Sequence, residues 1–286
     1  MQRPDCCGGC SVTRQGVHVV KIGGALLDDA SSLAAVTAAV ASMHRSRPGS
    51  VVVVHGGGSA VDRHLARLGM KTQKRDGIRI TPPDQMTEIG AVLGGSVNQR
   101  LVGALLALGA RAVGLSLSDG GMTVASPITR LSFDPGCVCE VTHTDPTLLK
   151  ALLGSGFLPV ISSVAMDDEG GLLNVNADDA AAAIASLLGA SGLVFLTDVP
   201  GVLDGTGATI DRLDAVQVDA LISDGTIRGG MIPKVRGALE TASATGVEVV
   251  IASWRHPDEL AQIADGASVG TRIHATLAPA SRGDRS

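Results

Sequence analysis

The chain of 286 residues is long enough to bury a sizeable core, and aromatic side chains make up only 1% of it, so Val, Ile, Leu and Ala must fill that core. The formal net charge is −5 and no run of Lys or Arg is present, which argues against nucleic acid as a partner. No apolar run approaches the roughly 18 residues that span a bilayer, and the first residues lack the apolar segment of a secretory signal, so we expect no membrane association.

The five cysteines, an odd number, argue against a disulfide framework and favour a reducing, cytoplasmic location. Cys6, Cys7 and Cys10 lie close together in the Gly-containing segment 1–16. Their spacing would suit a metal or redox site, but the Cys-x-Cys pair at 137–139 does not supply a second half at zinc spacing. We therefore predict no metal site and interpret residues 1–16 as a flexible leader.

Strand and helix signals alternate along the rest of the chain. In chain order they predict a strand at 17–22, a helix at 31–47, a strand at 50–55, a helix at 59–68, a β-hairpin within 71–81 and a long helix from Pro82 to about Leu108. Further strands are predicted at 112–117, 124–129, 138–142, 158–161, 193–197 and 247–251, with helices near 145–153, 178–188, 214–223, 231–244 and 258–264. The tail 276–286 is predicted to be disordered.

Continuous apolar strands separated by helices indicate a mainly parallel sheet covered on both faces, that is, an α/β fold with three αβα layers. In such sheets ligands bind beyond the carboxyl ends of the strands. Glycines follow three of the predicted strands: Gly23 and Gly24 after the first, 56–58 after the second, and Gly201 after "LVFLTD". The sequence therefore predicts a binding site at that edge.

The sequence "HGGG" at 55–58 has three interpretations. A dinucleotide fingerprint would need Gly at position 61, which is Val61. An esterase oxyanion loop would need an acid and then a histidine after Ser268 of "GASVG", and the chain offers them only in the reverse order. A glycine loop whose N–H groups bind an anion at the start of a helix requires nothing that the sequence lacks.

Two lysines accompany glycine pairs. "KIGG" places Lys21 at the end of a strand before Gly23 and Gly24, and "RGGMIPKV" places Lys234 in the first turn of a helix. A single lysine at a strand end is usually a solvated boundary residue. A cation at a helix N-terminus, however, opposes the helix dipole. Two such devices together suggest one polyanion bound between them.

The stretch "NVNADDAA" places Asn174, Asn176, Asp178 and Asp179 at the mouth of an Ala-rich helix. Capping is the simplest explanation, because Asn and Asp oxygens accept the free N–H groups of a first helical turn. A functional role is the alternative, and the residues of this stretch alone leave both open.

Taken in order, "VKIGGALL", "VVVVHGGGSAVD", "GIRIT", "NVNADDAA", "TDVPGVLD", "GGMIPKV", "IASWRH" and "GTRI" resemble the amino acid kinase family. The resemblance runs from about Val17 to Ile273, and it is strongest to the members that phosphorylate the side-chain carboxylate of N-acetyl-L-glutamate, the second step of arginine biosynthesis. It implies one αβα sandwich in which residues 17–190 bind the acyl amino acid and form a homodimer, while residues 191–275 bind ATP with Mg²⁺.

The resemblance also implies roles for individual residues. Lys21 and Lys234 match lysines that stabilise the transferring phosphoryl group, and Asp178 matches an aspartate that holds both. The implied acyl amino acid contacts are Gly57, Gly58, Arg79 and Asn174. The implied ATP contacts are Gly23, Gly24, Asp198, Val199, Pro200, Gly201, Val202, Leu203, Thr226, Ile227 and Arg228. Asp179 keeps its interpretation as a first-turn residue favoured by the helix dipole.

These residue types suit the implied chemistry. A glutamate side-chain carboxylate, with a pKa near 4.3, is already an ionised nucleophile at neutral pH, so positioning and cations matter more than a general base. Arg79, in the predicted hairpin, would grip the α-carboxylate with two parallel N–H groups. Two alternatives remain: a kinase of a related acyl amino acid, such as carrier-linked aminoadipate or glutamate, and a non-catalytic amino-acid sensor. In the arginine-inhibited, hexameric members of the family an N-terminal helix links dimers. The leader here contains Pro4 and several glycines and lacks an amphipathic period, so the resemblance implies a dimer without strong arginine feedback.

Overall fold

The computed structural model describes residues 16–75 and 77–275. Three parts of the sequence lie outside the described residues: residues 1–15 of the predicted leader with Cys6, Cys7 and Cys10, Asp76 in the predicted hairpin, and the tail 276–286.

The described residues alternate between strands and helices. The strands are β1 His18–Ile22, β2 Val51–His55, β3 Gln73–Arg75, β4 Ile78–Ile80, β5 Ala112–Ser116, β6 Thr123–Pro127, β7 Val138–Thr144, β8 Leu158–Ser162, β9 Val164–Met166, β10 Leu172–Val175, β11 Gly192–Thr197, β12 Arg212–Leu213, β13 Val249–Ser253 and β14 Thr271–Ile273. The helices are α1 Gly24–Asp28, α2 Ala30–Ser46, α3 Gly58–Arg67, α4 Pro83–Gly90, α5 Asn98–Ala107, α6 Thr147–Gly154, α7 Ala177–Leu188, α8 Ala215–Ser223, α9 Met231–Thr245 and α10 Glu259–Ala264. A π-helical segment, Ala91–Val97, joins α4 to α5, and a 3₁₀ turn spans Asp119–Gly121.

Each predicted strand and helix is present, with ends that differ by a few residues. Helix α1 and the short strands β9, β10, β12 and β14 were not predicted from the sequence. Of these, β10 bears on the site: it carries Asn174 and pairs in parallel with β7 and antiparallel with β9. Strands of two to four residues carry too short an alternation to be distinguished from a loop.

The main sheet has eight strands in the order β12-β14-β13-β11-β1-β2-β8-β5. Neighbouring strands run parallel except β13 and β14, which are antiparallel. A second sheet has the order β6-β7-β10-β9, and β3 pairs with β4 as a hairpin. The mainly parallel α/β sandwich expected from the sequence is confirmed.

Helices cover both faces of the main sheet because alternate residues of each central strand point to opposite sides. Val20 of β1 joins one core cluster with Val36 of α2 and Leu101 of α5. Its neighbour Val19 joins the other cluster with Ile184 of α7. This double burial explains why the strands are continuously apolar rather than alternating.

One helical stretch of the described residues, Pro83–Ala107, is 25 residues long and apolar enough to cross a bilayer by length and composition alone, which the sequence analysis did not foresee. Its residues Ile89, Leu93, Leu101 and Leu105 are buried in a core cluster of the sandwich. The apolar character of the stretch is therefore accounted for by packing against the sheet, as in the core helix of a globular domain.

Candidate functional site

Two cavities lie at the carboxyl ends of the parallel strands. The first, here called the hairpin cavity, has a volume of about 280 Å³ and includes Arg79 of β4 and Asn174 of β10 in its wall. The second, here called the α9 cavity, has a volume of about 360 Å³ and includes Lys234 of α9 in its wall. Lys21, Gly23 and Gly24 line both cavities. The turn after β1 therefore separates two binding spaces and faces each of them.

Close backbone approach favours glycine in the loops around this junction. A Cβ atom on Gly24 would lie 3.3 Å from Ser59 Oγ, and one on Gly56 would lie 3.0 Å from the Cβ atom of Ala177. The turn after β1, the loop after β2 and the start of α7 are thus packed against each other. Because α1, α3 and α7 all begin at residues that line the hairpin cavity, their N-terminal N–H groups favour an anion there.

His55, the first residue of "HGGG", is fully buried and holds the glycine loop in place. Its Nε2 lies 3.0 Å from the amide nitrogen of Asn98, which also donates to Val160 O at 2.9 Å. Because that nitrogen can only donate, Nε2 accepts, and Nδ1–H donates to Gly56 O at 2.9 Å. Burial lowers the pKa of His55 to about 4, against a smaller opposing effect of the Gly56 contact. His55 is therefore a neutral structural link between α5 and the glycine loop.

Arg79 and Asn174, both expected from the resemblance to contact an acyl amino acid, line the hairpin cavity. The Arg79 side chain is only 9% exposed and donates to Gly58 O at 2.9 Å and to Asp62 Oδ1 at 2.5 Å. Asn174 Nδ2 donates to Thr81 Oγ1 at 3.1 Å, and its side-chain oxygen is the group of this amide that can accept a hydrogen bond from a ligand. Gly57 and Gly58 line the same cavity.

Asn176, and not Asp178, caps helix α7. Asn176 Oδ1 accepts the backbone N–H of Asp178 at 2.9 Å. Asp178 instead forms an ion pair with Lys21, with 2.7 Å between Nζ and Oδ1, and the Lys21 side chain is only 17% exposed. The carboxylate of Asp178, in the first turn of α7, is therefore paired with Lys21 of strand β1. A residue that only capped the helix would not need such a partner.

Asp179, expected to serve only the helix dipole, lines the hairpin cavity. The surrounding protein shields the Asp179 carboxyl group from water, and this desolvation is the largest cause that raises its pKa. The neighbouring charge of Asp178 raises the pKa further, and Arg130 lowers it. Asp179 faces the cavity, and the cavity walls surround it. Because its pKa is raised, its carboxyl group is protonated more easily than a solvated one, which reduces its repulsion of an anion bound there.

The second lysine of the site has a different partner from the first. Lys234 Nζ lies 2.6 Å from Asp198 Oδ1, and in the part of the chain that the structure describes its ion pair is with Asp198 rather than Asp178. The expectation that Asp178 holds both lysines thus corresponds to the structure only for Lys21. Each lysine has its own carboxylate, and both pairs lie along the α9 cavity.

Of the residues that the resemblance assigned to ATP, the structure brings Gly23, Gly24 and Asp198 to the α9 cavity. The others lie outside the walls of that cavity: Val199, Pro200, Gly201, Val202, Leu203, Thr226, Ile227 and Arg228. Val202 and Ile227 are buried at 1% and 2% exposure, which leaves only their backbone groups for a ligand. The assignment of these two segments stays a prediction.

Sequence reasoning missed several residues of the two cavities. Lys74 and Arg130 add positive charge to the hairpin cavity, and Phe195 and Trp254 form part of the α9 cavity. Their signals were weak, because a charged residue on a hairpin and an aromatic residue near a strand end are common in any sheet. Asp62, behind the hairpin, could have been suspected only from "GGGSAVD", where it lies one helical turn after Gly58.

Comparison with known proteins identifies relatives over most of the chain. The model of the amino acid kinase family matches residues 16–253. The chain is 45% identical over 255 residues to the acetylglutamate kinase of Vibrio cholerae serotype O1 (strain ATCC 39541 / Classical Ogawa 395 / O395). The aligned residues cover 89% of this chain and 96% of that protein.

Solved structures show the same fold at lower identity. N-acetylglutamate synthase from Neisseria gonorrhoeae, complexed with coenzyme A and N-acetyl-glutamate, matches with a TM-score of 0.77 at 23% identity, over 93% of this chain and 61% of that one. Giardia carbamate kinase matches with a TM-score of 0.64 at 18% identity, over 92% of this chain and 100% of that one. At these identities the likeness concerns the fold alone.

The neutral, buried state of His55 predicts a loss of stability in mild acid. An unfolded histidine has a pKa of 6.5, and the folded value is about 4, so the unfolded state binds more protons between these values. The free energy of unfolding should fall by about 2 kcal/mol from pH 7 to pH 4.5 on account of this residue. Urea unfolding at both pH values measures it.

His55→Gln, which cannot titrate, should reduce this pH-dependent loss. His18 and His44, whose pKa values are also lowered by burial, would leave a residual slope. An unchanged difference between the two pH values in His55→Gln would contradict the assignment.

Proposed function

The chain belongs to the amino acid kinase family, and on this premise we propose that it transfers the γ-phosphoryl group of ATP to the side-chain carboxylate of N-acetyl-L-glutamate. The product is N-acetyl-L-glutamyl 5-phosphate, and the reaction is the second step of arginine biosynthesis. The observation that carries the proposal is the junction of two cavities at Lys21, Gly23 and Gly24. A kinase requires two ligands whose reacting ends meet beside a cation.

The hairpin cavity is the proposed acceptor site. Arg79 binds the α-carboxylate, because a guanidinium offers two parallel N–H groups to a carboxylate. Asn174 and the N–H groups of Gly57 and Gly58 orient the rest of the acyl amino acid. The side-chain carboxylate then points to the junction at Lys21.

The α9 cavity is the proposed site of the ATP phosphates. Lys21 and Lys234 lie in its wall and offset the negative charge of the phosphates and of the approaching carboxylate. The carboxylate oxygen forms a bond to the γ-phosphorus while the bond from that phosphorus to the ADP oxygen breaks. Because the nucleophile is already ionised, the protein contributes alignment and positive charge rather than a base.

We propose that Mg²⁺ enters with the nucleotide. An ion held mainly by phosphates and water needs only one or two carboxylates from the protein, and Asp178 and Asp198 line the cavity where the phosphates would lie. The ion would supply further charge neutralisation at the phosphates. The remaining nucleotide contacts are proposed to be the segments 198–203 and 226–228.

We further propose that residues 17–190 carry the acceptor site and the dimer contact and that residues 191–275 carry the nucleotide site. Leu106 and Leu108, near the end of α5, are 52% and 40% exposed, and we propose this end of the helix as part of the contact between copies. A cytoplasmic homodimer is the proposed working form.

The decisive experiment measures ADP release by the purified protein with a panel of acceptors. N-acetyl-L-glutamate should give turnover that glutamate, aspartate, carbamate, UMP and a carrier-linked aminoadipate do not match, and hydroxylamine should trap the acyl phosphate product. Preference for the aminoadipate would move the function to a related kinase. Absence of turnover with every acceptor, together with binding of an amino acid, would instead favour a sensor.

The ion pair between Lys21 and Asp178 predicts a selective loss of rate in Asp178→Asn. If Asp178 served only the helix, the change would be nearly silent, because Asn is as good as Asp at helix N-termini. If it fixes Lys21, a cation displaced by about an ångström can cost on the order of 100-fold in rate. We expect a large fall in kcat with a small change in Tm.

Asp214→Asn is the matched control. Asp214 caps helix α8 in a capping box and lines neither cavity, so the same chemical change should leave both kcat and Tm nearly unaltered. Turnover of Asp178→Asn within a few-fold of the unaltered protein would contradict a catalytic role for the ion pair.

A further inference from the structure

The guanidinium of Arg79 is held by two protein acceptors on α3. One terminal nitrogen donates to Asp62 Oδ1 at 2.5 Å, and the other donates to Gly58 O at 2.9 Å. Asp62 lies one turn after Gly58 on this helix, so the two acceptors stand side by side. Two of the five N–H groups of the guanidinium are used in this way. The group is fixed in orientation and still has donors for a ligand.

Asp62 also reaches the other strand of the hairpin. Its second oxygen, Oδ2, accepts from Lys74 Nζ at 3.0 Å. Burial alone would raise the pKa of Asp62, but the hydrogen bonds from Arg79 and Lys74 outweigh it and lower the pKa. Asp62 is therefore ionised at neutral pH and joins β3 and β4 to α3.

Asp62 does not line either cavity, whereas Lys74 and Arg79 both line the hairpin cavity. The carboxylate thus stands behind the two cations, on the side away from a ligand. The hairpin pairs with no other strand among the described residues, and two strands alone are only marginally stable. The position of Arg79 over the cavity therefore depends on contacts such as these.

We propose that Asp62 is a positioning residue for acceptor recognition: it holds Arg79, and with it Lys74, at the angle that receives the α-carboxylate of the acyl amino acid. This inference rests on the proposed function, in which Arg79 binds that carboxylate. It adds a residue that touches no substrate and acts through the guanidinium.

The two contacts of Asp62 contribute unequally. Lys74 is 51% exposed, and an ion pair with so exposed a lysine contributes little. Arg79 is nearly buried, so its hydrogen bond to a carboxylate is charge-assisted and shielded from water. Removing the charge of Asp62 brings two opposing effects: the cavity becomes more positive, and Arg79 loses its orientation. We expect orientation to decide, because a planar guanidinium binds a carboxylate well only in one plane.

The test compares Asp62→Asn, Asp62→Glu and Arg79→Lys by steady-state kinetics with N-acetyl-L-glutamate and ATP. Asp62→Asn should raise the KM for the acceptor about tenfold, because a charge-assisted hydrogen bond is stronger than a neutral one by about that factor. The KM for ATP should change by no more than about twofold. Asp62→Glu, which keeps the charge, should recover most of the loss. In the Arg79→Lys background, Asp62→Asn should add little, because the group that it positions has gone.

Asp28→Asn is the control for loss of an aspartate that pairs with this helix. Asp28 forms an ion pair with Arg63 of α3, at 2.7 Å, and Arg63 follows Asp62 in the sequence. Neither Asp28 nor Arg63 lines the hairpin cavity or the α9 cavity. Its acceptor KM should not change. A thermal unfolding curve for each variant separates loss of positioning from loss of fold.

The outcomes separate the inference from the function on which it rests. If Arg79→Lys raises the acceptor KM and Asp62→Asn does not, the proposed function stands and the positioning role is wrong. Equal rises in the acceptor and ATP constants, or additive effects of the two changes, also overturn it. If the unaltered protein does not phosphorylate the acceptor, the proposed function itself fails.

Discussion

The ion pair between Lys21 and Asp178 is the contact on which the arrangement of the site depends. Lys21 is the penultimate residue of strand β1, at the centre of the main sheet, and its side chain lines both cavities where they meet. A lysine with four rotatable bonds has no fixed position of its own. The carboxylate at 2.7 Å on α7 supplies that position, while Lys234 is held separately by Asp198. Two cations with independent anchors can act on one anion from different elements.

The surrounding loops hold this pair by packing and by neutral hydrogen bonds. Gly24 and Gly56 allow the loops after β1 and β2 and the start of α7 to approach to contact distance. His55 stays uncharged because it is buried, so it orients the glycine loop without adding charge beside the lysines. On the other wall, Asp62 fixes a cation from behind. Charge is thus concentrated on side chains that face the cavities, and the supporting contacts behind them are neutral or paired.

Much of the fold and the location of the candidate site could be predicted from the sequence. Continuous apolar strands and glycines at their ends predicted the sheet, its helical layers and the edge that carries the site. The sequence could not distinguish which of Asn176 and Asp178 caps α7, because both suit that position and only the contact with Lys21 decides. Nor could it assign Asp198 to Lys234, since they lie 36 residues apart and meet only through the fold. The strand β10, which presents Asn174, was too short to detect by alternation.

The most direct measurement is a crystal structure of the protein with N-acetyl-L-glutamate and a non-hydrolysable ATP analogue. We expect the α-carboxylate to lie on Arg79 and the side-chain carboxylate to point at the γ-phosphorus. Lys21 Nζ should lie within hydrogen-bond distance of a phosphate oxygen, about 2.7–3.2 Å. An acceptor bound away from Arg79, or a phosphate group out of reach of Lys21 while that lysine remains on Asp178, would contradict this expectation.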